Sequence, residues 1–247
     1  MTIRAVILAA GIGRRLGSER PKCLLEFAGQ SLLQRHFEIL ISLGIDEIVI
    51  GLGHRAAEIE AALNACNISA RVSLVYNPDY TQGSIVTLWH LRERLATGDD
   101  ILLMDADVLY DYRMITRLLE SEHRNCFLLD RELEAGEEPV KLCVRDGRLV
   151  EFRKHVEVAC DYCGESVGFF RLSSEIVGKL TGTAARYIRA ARLDEPYEEA
   201  LRDVLLAEPE AFGFEDITGL PWIEIDFPQD VERARTQITP LLMQHAD

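Results

Sequence analysis

The stretch Ala5-Val6-Ile7-Leu8-Ala9-Ala10-Gly11-Ile12-Gly13-Arg14-Arg15-Leu16, followed by Pro21-Lys22, decides how the rest of the chain is read. An apolar run entering two glycines, two arginines and a lysine describes a buried strand whose exit loop can press its backbone against a polyphosphate, with cations at hand. Spacing excludes two other phosphate loops. A P-loop places Lys-Ser or Lys-Thr after its second glycine, and the dinucleotide fingerprint needs a third glycine where Leu16 stands.

Outward from this loop, strand and helix patterns alternate. Ser31 can cap a helix carrying Leu32, Leu33, Phe37, Leu40 and Ile41 on one face, closed by Gly44, before an apolar strand from Glu47 to Leu52. A helix at 56–66, a strand at 72–76, a helix at 84–95 and the strand Ile101-Leu102-Leu103-Met104, ending in Asp105-Ala106-Asp107, continue the series. Such alternation predicts an α/β, Rossmann-like fold with a mostly parallel central sheet and helices on both faces. From about residue 126 the texture changes. The segments 140–144 and 149–152 flank Asp146-Gly147, a hairpin signal, so a small antiparallel insert joins the sheet. A strand at 166–172, a helix at 196–206, a last strand at 222–226 and a helix begun by Pro228 complete the reading.

The 247 residues, 48% hydrophobic, suffice for one large domain, 1–247, with a first half to about residue 125 and a second half from 126. With 41 acidic against 27 basic residues the formal net charge is −14, which repels nucleic acid and anionic membranes. No apolar stretch approaches the ~20 residues needed to cross a bilayer and no secretory signal pattern opens the chain, so a cytoplasmic protein is expected. A homodimer is compatible with this class. The six cysteines are scattered; only Cys160-Asp-Tyr-Cys163 has ligand-like spacing, and without a second pair they read as free thiols.

By its glycine loop, Arg15-Leu16 and Pro21-Lys22, the chain resembles the nucleotidyltransferases that make activated sugars and activated alcohols from a nucleoside triphosphate. The resemblance places Lys22 at the α-phosphate and Arg15 at the β- and γ-phosphates. Ligands of open α/β sheets sit beyond the carboxyl ends of the strands, where Asp107 and Asp226 are the natural carboxylates for Mg²⁺, and the resemblance points to the same pair. Asp105 fits better as a residue orienting the loop. The base is expected against the backbone of Leu8, Ala9, Ala10, Gly11 and Gly13 and near Tyr80, Gln82, Gly83 and Ser84, a segment similar to the pyrimidine-contacting loop of cytidylyltransferases.

The second half, from Glu138-x-x-Lys141 through Trp222 to Asp230, resembles the branch that transfers CMP to phosphocholine, inositol phosphates or phosphonates. It implies CTP and a small phosphorylated or phosphonylated acceptor as partners, with Lys141, Lys154, Glu165, Tyr197 and Glu198 as acceptor-binding residues. A cationic headgroup would need carboxylates and aromatic faces, which Tyr110, Asp111, Tyr112 and Trp222 could extend. Two other readings remain: a sugar-1-phosphate or inositol-1-phosphate nucleotidyltransferase, and a catalytically inactive nucleotide-binding regulator, which the presence of Lys22, Asp107 and Asp226 disfavours.

Overall fold

The computed structural model describes residues 3–17, 20–66, 70–132 and 139–244. In chain order the elements are β1 (Ile3–Ala9), β2 (Glu26–Phe27), β3 (Gln30–Ser31), α1 (Leu32–Ser42), β4 (Glu47–Leu52), α2 (Ala56–Ala65), β5 (Arg71–Tyr76) and α3 (Ser84–Leu95). They continue with β6 (Asp100–Asp105), β7 (Val108–Tyr110), α4 (Arg113–Glu120), β8 (Cys126–Asp130), β9 (Lys141–Arg145), β10 (Arg148–Arg153) and β11 (Tyr162–Leu172). The last are α5 (Ser174–Arg189), α6 (Tyr197–Ala207), β12 (Gly213–Asp216), β13 (Trp222–Glu224), α7 (Pro228–Arg233) and, after one π-helical segment, α8 (Thr239–Gln244).

The main sheet runs β10-β9-β11-β6-β1-β4-β5, with β8 on β11 and β12 on β8. Strands β6, β1, β4 and β5 are mutually parallel, whereas β11 runs antiparallel to β6, β8 and β9. Alternation along each strand sends side chains to opposite faces. In β1, Val6 packs with the helices α3, α5 and α6, while Ala5 and Ile7 pack with α1, α2 and α4. Helices therefore cover both faces, as the sequence predicts. Strand order reverses around β1, since β4 lies on one side and β6 on the other. That switch point opens a crevice at the exits of β1 and β6, where Gly11 and Asp105-Ala106-Asp107 emerge.

Local chemistry explains the element ends. Ser31 Oγ accepts from the Gln34 N–H at 3.2 Å, and the Gln34 side chain accepts from the Ser31 N–H at 3.4 Å, a reciprocal cap contributing about 1 kcal/mol. The hairpin turns through Asp146 (φ 52°) and Gly147 (φ 74°), both left-handed as a two-residue turn of this kind requires. Two elements differ from expectation. Strand β11 starts at Tyr162 rather than 166, because Tyr162 to Glu165 pair with β9. Helix α5 escapes a propensity reading because Gly178 and Gly182 interrupt it, yet burial of Ile176, Val177, Leu180, Ala184 and Tyr187 holds it in place. Among the described residues no helix is long and apolar enough to cross a membrane.

Candidate active site

The glycine loop closes on itself and on Lys22. Gly13 takes φ +66°, the Leu16 N–H donates to its carbonyl at 3.1 Å, and a Cβ at Gly13 would stand 3.1 Å from Lys22 Cγ. Glycine here lets the lysine stem pass. Lys22, in the single turn after Pro21, donates from Nζ to Asp107 Oδ2 at 2.8 Å and to Asp226 Oδ1 at 2.6 Å. Burial alone would lower its pKa, but the two carboxylates outweigh burial and hold the ammonium above its ordinary value. Arg15 donates to Asp226 Oδ2 at 2.6 Å, and its guanidinium lies 5.1 Å from the centroid of the Phe227 ring. Asp230 accepts from the Asp226 and Phe227 N–H groups at 3.0 and 2.6 Å, which fixes the loop that presents Asp226. The structure thus brings all four predicted phosphate and metal residues together from four separate stretches of chain.

Glu224, not singled out as a ligand from sequence, joins them. Pairing of β13 with β7 sets Glu224 opposite Val108, and the Ile225 N–H donates to the Asp107 carbonyl at 3.0 Å. One oxygen from each of Asp107, Glu224 and Asp226 lies within 4.8 Å of the others. Mg²⁺ takes oxygen ligands from one or two carboxylates and its substrate's phosphates, and this all-oxygen donor set suits such an ion. Asp105 turns aside: it accepts from the Tyr197 hydroxyl at 2.9 Å and packs against Gly168, whose φ of +77° leaves no room for a Cβ. Burial, then the carboxylates of Glu198, Asp107 and Glu224, push the Asp105 carboxyl well above the usual range. Burial likewise, with Glu199 and Asp107, raises Glu198 to about 7 against the opposing pull of Lys154. The crowding of acids is itself a reason for the site to favour added positive charge.

Where the sequence expects the base, Gly53 and His54 lie beside the predicted residues. The His54 N–H donates to the Ala10 carbonyl at 3.1 Å, the His54 and Tyr80 rings lie 5.8 Å apart, and a Cβ at Gly53 would meet Ala10 O at 2.8 Å. The exit of β1 at Ala10 therefore meets Gly53 and Tyr80. The only sequence signal was a Gly-His at a strand exit. Gln82 closes a turn onto the Asp79 carbonyl at 3.0 Å; Gly83 donates to the Leu193 carbonyl at 2.8 Å, and the 194–195 backbone fills the space of its missing Cβ. Ser84 Oγ accepts from the Tyr197 N–H at 2.8 Å. These last contacts bind α3 to the start of α6.

A cleft of about 580 Å³ adjoins the carboxylates, walled by Asp130, Glu165, Trp222, Glu224 and Asp226 among others. Trp222 Nε1 donates to Asp130 Oδ2 at 2.7 Å. Of the predicted acceptor residues Glu165 lines this cleft. Lys154 interacts with Glu198, which lies within electrostatic reach of Asp107. Tyr197 is 2% exposed with its hydroxyl on Asp105, and Lys141 Nζ donates to the Lys154 carbonyl at 3.2 Å; neither lines this cleft. Tyr110 and Asp111 are likewise buried, Asp111 under the Arg113 guanidinium at 2.7 Å. Glu138 lies outside the described residues.

Comparison with known proteins fits this geometry. The chain is 27% identical, over 96% of its length, to the CMP-5'-(3-aminopropyl)phosphonate synthase of Streptomyces rubellomurinus, and 30% identical, again over 96%, to the bifunctional IPC transferase and DIPP synthase of Rubrobacter xylanophilus. It spans only 39% and 52% of those two relatives. It is 21% identical to the CTP:phosphoglutamine cytidylyltransferase of Campylobacter jejuni over 93% of its own length and 98% of that protein's. In fold it is similar to the inositol-1-phosphate CTP transferase of T. maritima, with a TM-score of 0.77 at 19% identity, covering 98% of this chain and 96% of that one. A family model described as a MobA-like NTP transferase domain matches residues 5–157, and the chain belongs to that family.

Proposed function

We propose that the protein is a metal-dependent cytidylyltransferase, moving CMP from CTP to a small phosphorylated or phosphonylated alcohol, phosphocholine-like in size and charge, with release of pyrophosphate. The observation that carries this reading is the Lys22 ammonium suspended between Asp107 and Asp226 beside the glycine loop, with Arg15 on the same Asp226. An acceptor phosphate or phosphonate oxygen is already anionic, so its attack on the α-phosphorus needs no general base. The new P–O bond forms as the bond to pyrophosphate breaks, and the protein's task is to position and to neutralise. Lys22 would face the α-phosphate as a point charge, and the Arg15 fork would hold the departing pyrophosphate. Asp107 and Asp226, with Glu224 in reach, would hold Mg²⁺, whose charge offsets that of the triphosphate. The carboxylates and Trp222 around the adjoining cleft suit an acceptor whose far end is cationic.

A pyrophosphate-release screen crossing CTP, UTP, GTP and ATP with phosphocholine, phosphoethanolamine, aminoethylphosphonate, inositol-1-phosphate and glucose-1-phosphate tests the reading. Turnover with CTP and a cationic acceptor is expected. Turnover confined to a sugar phosphate or to inositol-1-phosphate would move the protein to that branch, and none in any cell of the grid would leave a nucleotide-binding protein.

A further inference from the structure

Sequence spacing offers one cysteine pair, Cys160 and Cys163, too few to hold a metal. The antiparallel insert supplies a third thiol. Pairing of β11 with β9 sets Cys163 directly opposite Cys143, which is fully buried, while the turn before β11 folds Cys160 over both. That turn is tied down at three points. The Asp161 N–H donates to the Val144 carbonyl at 2.8 Å, the Asp146 N–H donates to the Asp161 carboxylate at 2.8 Å, and Arg145 donates to the Ala159 carbonyl at 3.3 Å. The Sγ atoms of Cys160 and Cys163 are 3.3 Å apart, and all three sulfurs lie within 4.8 Å of one another. Thiolates at about 2.3 Å from one tetrahedral Zn²⁺ stand about 3.8 Å apart, a value inside this range.

We propose that Cys143, Cys160 and Cys163 form a three-thiolate site for a soft divalent cation of the Zn²⁺ class, separate from the oxygen site at Asp107 and Asp226. The two donor sets divide metals between them, since soft thiolates select zinc and hard carboxylates select magnesium. On ligation each thiol surrenders its proton, and the fourth position is open to water or a small ligand because Cys160 and Cys163 are only partly buried. Charge balance has a local source. Lys141 pairs with Glu165 two residues along the same strands and on the same face, which sets a cation next to the cysteines. Metal at this point would brace the insert two residues from Glu165 on the wall of the acceptor cleft.

The test is a Co²⁺ titration of the full chain, reduced with a phosphine and held in excess Mg²⁺ so that the carboxylates are occupied. The expected result is thiolate-to-cobalt charge-transfer absorption saturating at one equivalent and displaced by Zn²⁺, with an increase in Tm. Cys160→Ser, in the surface turn, and Cys163→Ser should each lose that absorption and weaken Zn²⁺ binding by more than the roughly 10–100-fold that removing an outer-shell partner costs, with CMP transfer in zinc-free buffer unchanged. Cys143→Ala adds the buried ligand, its folding followed by circular dichroism. Absence of the charge-transfer band in the reduced, folded protein would overturn the proposal. So would its persistence in folded Cys160→Ser or Cys163→Ser.

Discussion

Lys22 neutralises Asp107 and Asp226 and, on the function proposed, stands where a phosphate would lie. Replacing it removes one preorganised cation from the reacting centre, so Lys22→Ala should lower turnover by on the order of a hundredfold or more. Circular dichroism should show the fold intact, because the ammonium touches the crevice and not the core. Wild-type turnover in a folded Lys22→Ala protein would remove the phosphate assignment. Asp107→Asn and Asp226→Asn keep shape but lose charge, and each should raise the Mg²⁺ concentration needed for half-maximal activity while sharply lowering the rate. A metal titration in which either variant behaved as wild type would make that residue structural. Lys22, Arg15, Asp107 and Asp226 stood out in the sequence because each is a charge at a strand exit or beside glycines, where a single residue type carries its chemistry. Glu224, His54 and Cys143 were not, because their roles depend on which residue a strand pairs with across the sheet, and nothing local in the chain states that register.

At the scale of elements, α1 is pinned to the strand end that carries Asp107 through one buried residue. His36 is fully buried, with Nδ1 3.2 Å from the Tyr110 hydroxyl and Nε2 3.3 Å from the Ala106 carbonyl. A carbonyl can only accept, so Nε2 bears the proton and the tyrosine donates to Nδ1, which describes a neutral ring. Burial pushes its pKa down to about 4 from an ordinary 6.5. The unfolded chain therefore binds the proton more tightly, and the stability associated with the neutral ring is complete above pH 6.5 and lost as pH falls towards 4. Loss of that stability amounts to about 3 kcal/mol. Urea unfolding at pH 7.5 and pH 4 should show a drop smaller by about that amount in His36→Gln than in wild type; equal drops would place the titration elsewhere. A second element makes the opposite kind of prediction. Gly178 and Gly182 are exposed inside α5 with open space where a Cβ would go, so alanine at each should stabilise by about 0.5–1 kcal/mol in the same assay. The same glycines hid α5 from a reading of propensity, whereas α1 was legible down to its capping serine. The difference is physical: α1 is specified by local signals, α5 by the core it covers.

For the molecule as a whole, the crevice proposed to bind phosphates sits on a body of net charge −14, so a polyanion would be admitted only where Arg15, Lys22 and a bound cation lie together. Phosphates give such a protein its affinity for nucleotides but no choice among bases, which all carry the same triphosphate. Choice has to come from the other end of the crevice, where the exits of β1 and β4 and the loop before α3 converge on Ala10, Gly53, His54 and Tyr80. Space there is limited on three sides: Ala10 and Tyr80 press on Gly53, and Gly83 is packed against the 194–195 backbone, so the loop has little freedom to retreat for a purine. Between the two pyrimidines size does not discriminate, and hydrogen bonding must. Backbone groups that match the exocyclic amine and ring nitrogen of cytosine would be left unpaired by uracil, whose donor and acceptor are reversed at those positions, and an unpaired buried polar group costs ~1–3 kcal/mol. CTP should therefore exceed UTP in kcat/KM by roughly ten- to a hundredfold, with GTP and ATP also below it. Side-by-side kinetics at one fixed acceptor concentration measure this directly. The companion variant is Gly53→Ala, whose methyl group would push Tyr80 and the Ala10 carbonyl apart. It should narrow the CTP-to-UTP ratio by raising KM for CTP while leaving the Mg²⁺ requirement at Asp107 and Asp226 unchanged. A ratio unaffected by Gly53→Ala, or a wild-type preference for UTP or a purine, would show that the base is read elsewhere than between these strand exits.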